Sequence, residues 1–218
     1  MIRLQIDPYF WFCGAFACSA ALFGQAHATN VATLEEISAF FKAKQKKVLT
    51  FVGYSGAGYE DEASMRQHAE KVLGEFDPAK TIVNIGATPD GIGTVYELAK
   101  RKGFMTTGIV SSQAKQEKVK LSPYVDQAFY VEDSAWGGFM PGTKELSPTS
   151  KAMVANSDTI VGIGGGEAAR DELIAAKGLG KQVRFIPADM NHQKALESAR
   201  KKKLPEPTDF RGAAGAVL

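Results

Sequence analysis

The stretch SDTIVGIGGGEAARDE, Ser157 to Glu172, decides how the chain folds. Asp158 to Ile163 is short, β-branched and apolar, which suits a strand buried on both faces. Gly164, Gly165 and Gly166 then let the backbone turn sharply without a Cβ penalty. From Glu167 to Lys177 the residues are mostly Ala, Glu, Leu and Lys, all good helix formers. A strand passing through glycines into a helix is half of a βαβ unit.

Working outward, the same grammar recurs. Val48 to Val52 is a β-branched strand running into Gly53, Tyr54, Ser55, Gly56, Ala57 and Gly58, with a helix from Glu62 to Glu75. Thr81 to Ile85 is a second strand, opening into Gly86-Ala87-Thr88-Pro89-Asp90-Gly91-Ile92-Gly93 and a helix from Thr94 to Arg101. Further strands are expected at Phe104 to Val110, Gln127 to Val131 and Gln182 to Ile186. Thr33 with Glu36 forms a capping box ahead of the apolar positions Leu34, Ile37, Phe40 and Phe41, so a helix precedes the first strand. Glu132 to Pro148, aromatic and rich in glycine and proline, has no period and reads as a long loop. A helix at Ser150 to Asn156 leads back to the opening stretch, and another is expected at Asn191 to Lys202. Strands alternating with helices at this spacing predict one α/β domain: a mostly parallel sheet of about six strands with helices on both faces.

The domain has boundaries. Trp11 to Phe23 is an uncharged apolar run, too short for the ~20 residues of a spanning helix. It is followed by Ala26-His27-Ala28, small residues where signal peptidase needs them. Residues 1–28 are therefore expected to be a signal peptide, cleaved before Thr29, giving a periplasmic or secreted protein with no stable membrane insertion. The alternative is an anchor formed by residues 11–23. The folded domain is expected over 29–203, and 204–218, with Pro205, Pro207 and a Gly/Ala-rich end, as a flexible tail.

Composition narrows the chemistry. Of 218 residues, 44% are hydrophobic and 23% charged, an ordinary globular balance. Lys and Arg exceed Asp and Glu by only two, and the basic residues are spread, so no nucleic-acid partner is expected. Cys13 and Cys18 both fall in the leader, which leaves the mature chain no disulfide or cysteine metal site. Two scattered histidines make no metal-ligand spacing, so neither a metal nor a cofactor is expected. No G-x-S-x-G elbow accompanies the serines. The glycines from Gly53 to Gly58 miss the dinucleotide spacing, and Asn84-Ile85 stand where a ribose-binding acid belongs, so a nicotinamide dehydrogenase is disfavoured.

What remains is anion or nucleotide binding. Glycine turns allow close backbone approach, and a helix N-terminus offers unpaired N–H groups. The expected ligand-binding set is Gly53, Tyr54, Ser55, Gly86, Thr88, Gly91, Gly164, Gly165, Gly166 and Glu167. The competing reading of each glycine is a structural turn. Trp136 and Phe139 are either a lid over a base or anchors of their long loop.

The segment Gly164 to Glu172 resembles the P-G-G-x-G-T-x-x-E signature of the Lonely-Guy family and the wider SLOG superfamily. Gly165, Gly166 and Glu172 match; Gly164 stands for the proline, and Ala168-Ala169 for the Gly-Thr pair. Gly53-Tyr54-Ser55 looks like the family's first turn, Gly86 to Gly93 like its second, and Met153 like the methionine of R-K-x-x-M. The resemblance implies a Rossmann-like domain that binds nucleotides or sugar phosphates, often as a homodimer. In the family's enzymes that arginine and the motif glutamate serve cleavage of a nucleoside 5′-monophosphate. Here Thr149 and Ser150 occupy the Arg-Lys positions. Two functions stay open: a binding or sensing domain for a nucleotide-related or sugar-phosphate ligand, and an N-glycosidic hydrolase using Glu172. Glu172 itself reads either as that carboxylate or as a helix-surface acid.

Overall fold

The computed structural model describes residues 31–218; the proposed leader, with Cys13, Cys18 and His27, lies outside the described residues. Six strands form one sheet: β1 Lys47–Gly53, β2 Thr81–Ile85, β3 Met105–Ser111, β4 Gln127–Val131, β5 Thr159–Ile163 and β6 Gln182–Ile186. All pairings are parallel, in the order β4-β3-β2-β1-β5-β6. The expected α/β architecture is borne out. The chain starts at the centre, walks outward to β4, and crosses back to β5, so the strand order reverses between β1 and β5. Ligands of such sheets lie outside the carboxyl ends of the strands, at that reversal.

Helices cover both faces because the strands are apolar on both. One face carries α2 (Glu62–Leu73) and α3 (Val95–Arg101), packed on Leu49, Phe51, Val83 and Ile85. The other carries α1 (Leu34–Lys44) and α5 (Pro148–Ala155), which bury Ile37, Phe41 and Met153 against Val48, Ile82 and Ile109. Beside them α6 (Glu167–Gly178) sets Ala169, Leu173 and Ala176 on Val52 and Ile160. Thr33 and Glu36 close the expected capping box at the start of α1.

A polar row crosses this otherwise apolar interior. Thr50, Asn84 and Thr107 are register neighbours on β1, β2 and β3, all fully buried. Thr107 donates to Asn84 Oδ1 at 3.0 Å, and Asn84 Nδ2 donates to Thr50 Oγ1 at 3.3 Å and to Met153 Sδ at 2.8 Å. Buried polar groups are tolerated when partnered in this way.

The Lys/Gln stretch after β3 forms a single turn, α4 (Gln113–Gln116), and α7 spans His192–Lys201. The last residues, 204–218, are the segment expected as a flexible tail. It returns to the domain: Met190 N–H donates to the Phe210 carbonyl at 2.8 Å, Ala214 N–H to that of Gly165 at 3.0 Å. A short helix, α8 (Gly212–Gly215), follows, with Ala214 fully buried. The cause is smallness. Gly212 takes φ +67°, and a Cβ there would sit 2.5 Å from Tyr54 Oη and 2.6 Å from the Gly165 carbonyl. Glycine and alanine, read as looseness, are what permit the close approach. Among the described residues no helix is long and apolar enough to cross a membrane.

Candidate functional site

A cavity of about 510 Å³ opens at the carboxyl ends of β1, β2 and β3, beside the start of α6. Its floor is apolar: Phe51, Val52, Ile85, Ile109, Val110 and Met153. The first two glycine turns supply Gly53, Ser55, Gly86, Thr88 and Asp90, and α6 supplies Ala168, Ala169 and Glu172. Trp136, half exposed, stands at the edge, with Val119 and Lys120 from the segment after α4. This volume and lining match a small-molecule site.

The structure brings Gly53, Ser55, Gly86, Thr88 and Glu172 of the expected residues to the cavity. It does not bring the others. Tyr54 is buried, and its hydroxyl donates to the Arg211 carbonyl at 2.6 Å. Gly91, at φ +58°, lies where a Cβ would overlap the carbonyls of Tyr54 and Ser55. Ile92 N–H then donates to the Tyr54 carbonyl at 2.7 Å, so Gly91 joins the two turns. Gly164, at φ +55°, would place a Cβ 2.7 Å from the Ala188 carbonyl. Gly165 carries the bond from Ala214, Gly166 is the N-cap of α6, and Glu167 is exposed in its first turn. At Gly91, Gly164 and Gly165, all at positive φ with no room for a Cβ, the tight turn by itself requires glycine. Phe139 pairs as an isolated bridge with Leu146 and does not line the cavity.

Glu172 is not a surface acid. It is 7% exposed, and Ser150 Oγ donates to its Oε1 at 2.6 Å. Burial pushes the carboxyl up to about 7; the Ser150 hydroxyl opposes this, and the neighbouring Asp171 adds to it. Ser150 Oγ in turn accepts from Gly138 N–H at 2.7 Å. The motif glutamate is therefore linked through one hydroxyl to the loop that carries Trp136.

Two further acids fasten that loop. Asp171 accepts from Phe139 N–H at 2.8 Å and from Arg170 Nε at 2.8 Å. Asp133 accepts from Ala135 and Thr149 N–H, each at 2.8 Å. Burial works against the Asp133 charge, but these backbone donors hold its carboxyl below the usual range. Asp133, Ser111 and Lys120 were not singled out in the sequence; an aspartate two residues before a loop alanine is at most a local turn signal. Two arginines nearby in sequence are committed to carboxylates: Arg170 to Asp171, and Arg184 to both Glu75 oxygens at 2.8 Å. Among the described residues no cluster of three or more His, Cys, Asp or Glu is placed to hold a metal.

No family model matches this chain, and no curated protein does. Solved structures do resemble it. The structural-genomics target TM1055 is similar at 22% identity and TM-score 0.48, over 63% of this chain and 72% of that one. The molybdenum cofactor carrier protein of Chlamydomonas reinhardtii is similar at 16% identity and TM-score 0.47, over 64% and 76%. DNA processing protein A of Streptococcus pneumoniae is similar at 12% identity and TM-score 0.45, over 77% and 60%. At these identities each is a likeness of backbone alone. By its own strand order and two-sided helix cover, this chain is a single Rossmann-like α/β domain, the fold that the Lonely-Guy resemblance implied.

Proposed function

We propose that the domain binds a small nucleotide-related or sugar-phosphate ligand in the cavity at the carboxyl ends of β1 to β3, as a binding or sensing module. The observation that carries this reading is the cavity itself, with an apolar floor, an aromatic edge and one buried carboxyl, at the end of the sheet where such folds take ligands. Binding is favoured over hydrolysis because Thr149 and Ser150 stand where the resembling enzymes have Arg-Lys, and the Ser150 hydroxyl is spent on Glu172. A thermal-shift panel of nucleotides, nucleosides and sugar phosphates tests it. At least one compound should raise the melting temperature, and a panel without effect ends the reading.

One observation favours the hydrolase as a second reading: a carboxyl near neutrality is suited to general acid–base work. If so, a stabilising nucleoside monophosphate is converted to free base by the wild type and left intact by Glu172→Gln. Export belongs to the same proposal, on the strength of the apolar run 11–23 and Ala26-His27-Ala28. Protein recovered from its native compartment should begin at Thr29; one retaining residues 11–23 in a membrane fraction would instead be anchored.

A further inference from the structure

Charge is distributed unevenly around the cavity. Among the described residues that line it, Lys120 is the one cation, and it is exposed; Asp90, a carboxylate, belongs to the same lining. The α6 side holds Glu172, and α6 also carries Glu167 in its exposed first turn and Asp171 buried beside Glu172. Arg170 is occupied by Asp171 at 2.8 Å. On α5, Ser150 donates to Glu172 and Lys151 is exposed to solvent. Asp133, before α5, adds another carboxylate, taken up by backbone donors. The α6 end is therefore rich in carboxylates and poor in uncommitted cations. The positive end of the α6 dipole is already complemented by Glu167. A phosphate dianion placed there meets like charge once Glu172 is ionised.

We propose that the cavity selects an uncharged, nucleoside-like ligand, a flat heterocycle joined to a hydroxylated ring, and discriminates against the 5′-monophosphate of that ligand through Glu172. This deepens the ligand-binding reading above and rests on it. The heterocycle lies on the apolar floor under Trp136. The Glu172 carboxyl, protonated, donates to a ring hydroxyl or ring nitrogen while its Oε1 keeps the Ser150 bond. Ionised, it still accepts from a neutral hydroxyl but repels a phosphate. Discrimination therefore grows as pH rises past neutrality, where Glu172 and the phosphate are both charged.

Isothermal titration of the purified protein with adenosine, guanosine, cytidine and uridine, each beside its 5′-monophosphate, at pH 6 and pH 8 tests this. For at least one pair the nucleoside should bind about tenfold tighter or more at pH 8, with a smaller ratio at pH 6. Glu172→Gln, which keeps an acceptor for Ser150 without the charge, should lower the pH 8 ratio of nucleoside to monophosphate affinity below that of the wild type, whatever its absolute affinities. A monophosphate that binds tighter than its nucleoside overturns the proposal and leaves the ligand-binding reading intact. A wild-type ratio indifferent to pH, or one unchanged in Glu172→Gln, removes Glu172 from the discrimination and overturns it equally. Binding by no member of any pair also overturns it. The site reading itself falls only if the wider thermal-shift panel, sugar phosphates included, leaves the melting temperature unmoved.

Discussion

Glu172 is 7% exposed, and its carboxyl is raised to about 7 from an ordinary 4.5. Between those values the folded protein holds a proton that the unfolded chain has released. Stability therefore falls as pH rises through that window. Glu172→Gln carries no such proton, so near pH 8 it should be more stable than wild type by on the order of 3 kcal/mol, with the gap closing toward pH 5. Urea unfolding at the two pH values checks this, and a gap that does not change with pH would contradict it. Ser150→Ala should act oppositely, costing roughly 1–3 kcal/mol by leaving a buried carboxyl without its donor. The motif position of Glu172 was legible in the sequence, but its depth was not, since a helix glutamate ordinarily faces water. The signal was there in the spacing: Glu172 follows Ala169 by three and precedes Ala176 by four, and both alanines are buried on the inward stripe. Gly91 and Gly164 pose the opposite question. A glycine beside a strand end reads equally as a ligand cradle or as a tight crossing, and only the neighbouring Tyr54 and Ala188 carbonyls decide between them.

At the scale of elements, the loop from Asp133 to Ser147 owes its shape to three side chains that are distant in sequence or lie at its edges. Gly138 and Phe139 give their N–H groups to Ser150 and Asp171, 12 and 32 residues away. Asp171→Asn weakens the charge-assisted bond and frees Arg170. The amides of Gly138 and Phe139 should then exchange with solvent faster, read by hydrogen exchange, and whatever ligand the cavity holds should bind more weakly as Trp136 loses its place. The residues 208–218 make a second case. Truncation after Pro207 uncovers Tyr54 and the Gly165 carbonyl, and the melting temperature should drop by roughly 5 °C or more. An unchanged melting temperature would show that the segment is a passenger. Strands were legible as short β-branched apolar runs ending in glycines and helices by their 3.6-residue repeat, and the capping box at Thr33 fixed the start of α1. Loop anchorage and tail docking have no period, and depend on partners that only the folded sheet brings close.

For the whole molecule, the alternation of strands and helices was enough to predict a parallel sheet, while the placement of β5 beside β1 rather than β4 came only with the structure. That placement puts β1 at the junction of both halves, with β2 on one side and β5 on the other. The two halves should then unfold together: tryptophan fluorescence from Trp136 and helix content followed by circular dichroism should trace one coincident urea transition. Separate transitions would mean that the sheet parts along β1. The contact between Tyr54 and Arg211 spans 157 residues. The tyrosine hydroxyl of the turn after β1 meets carbonyls of Ala188, Phe210 and Arg211, all far along the described chain. Contacts closed over so long a separation form slowly. The segment around Arg211 thus acts as a latch on the turn after β1, closing it from the other end of the described chain.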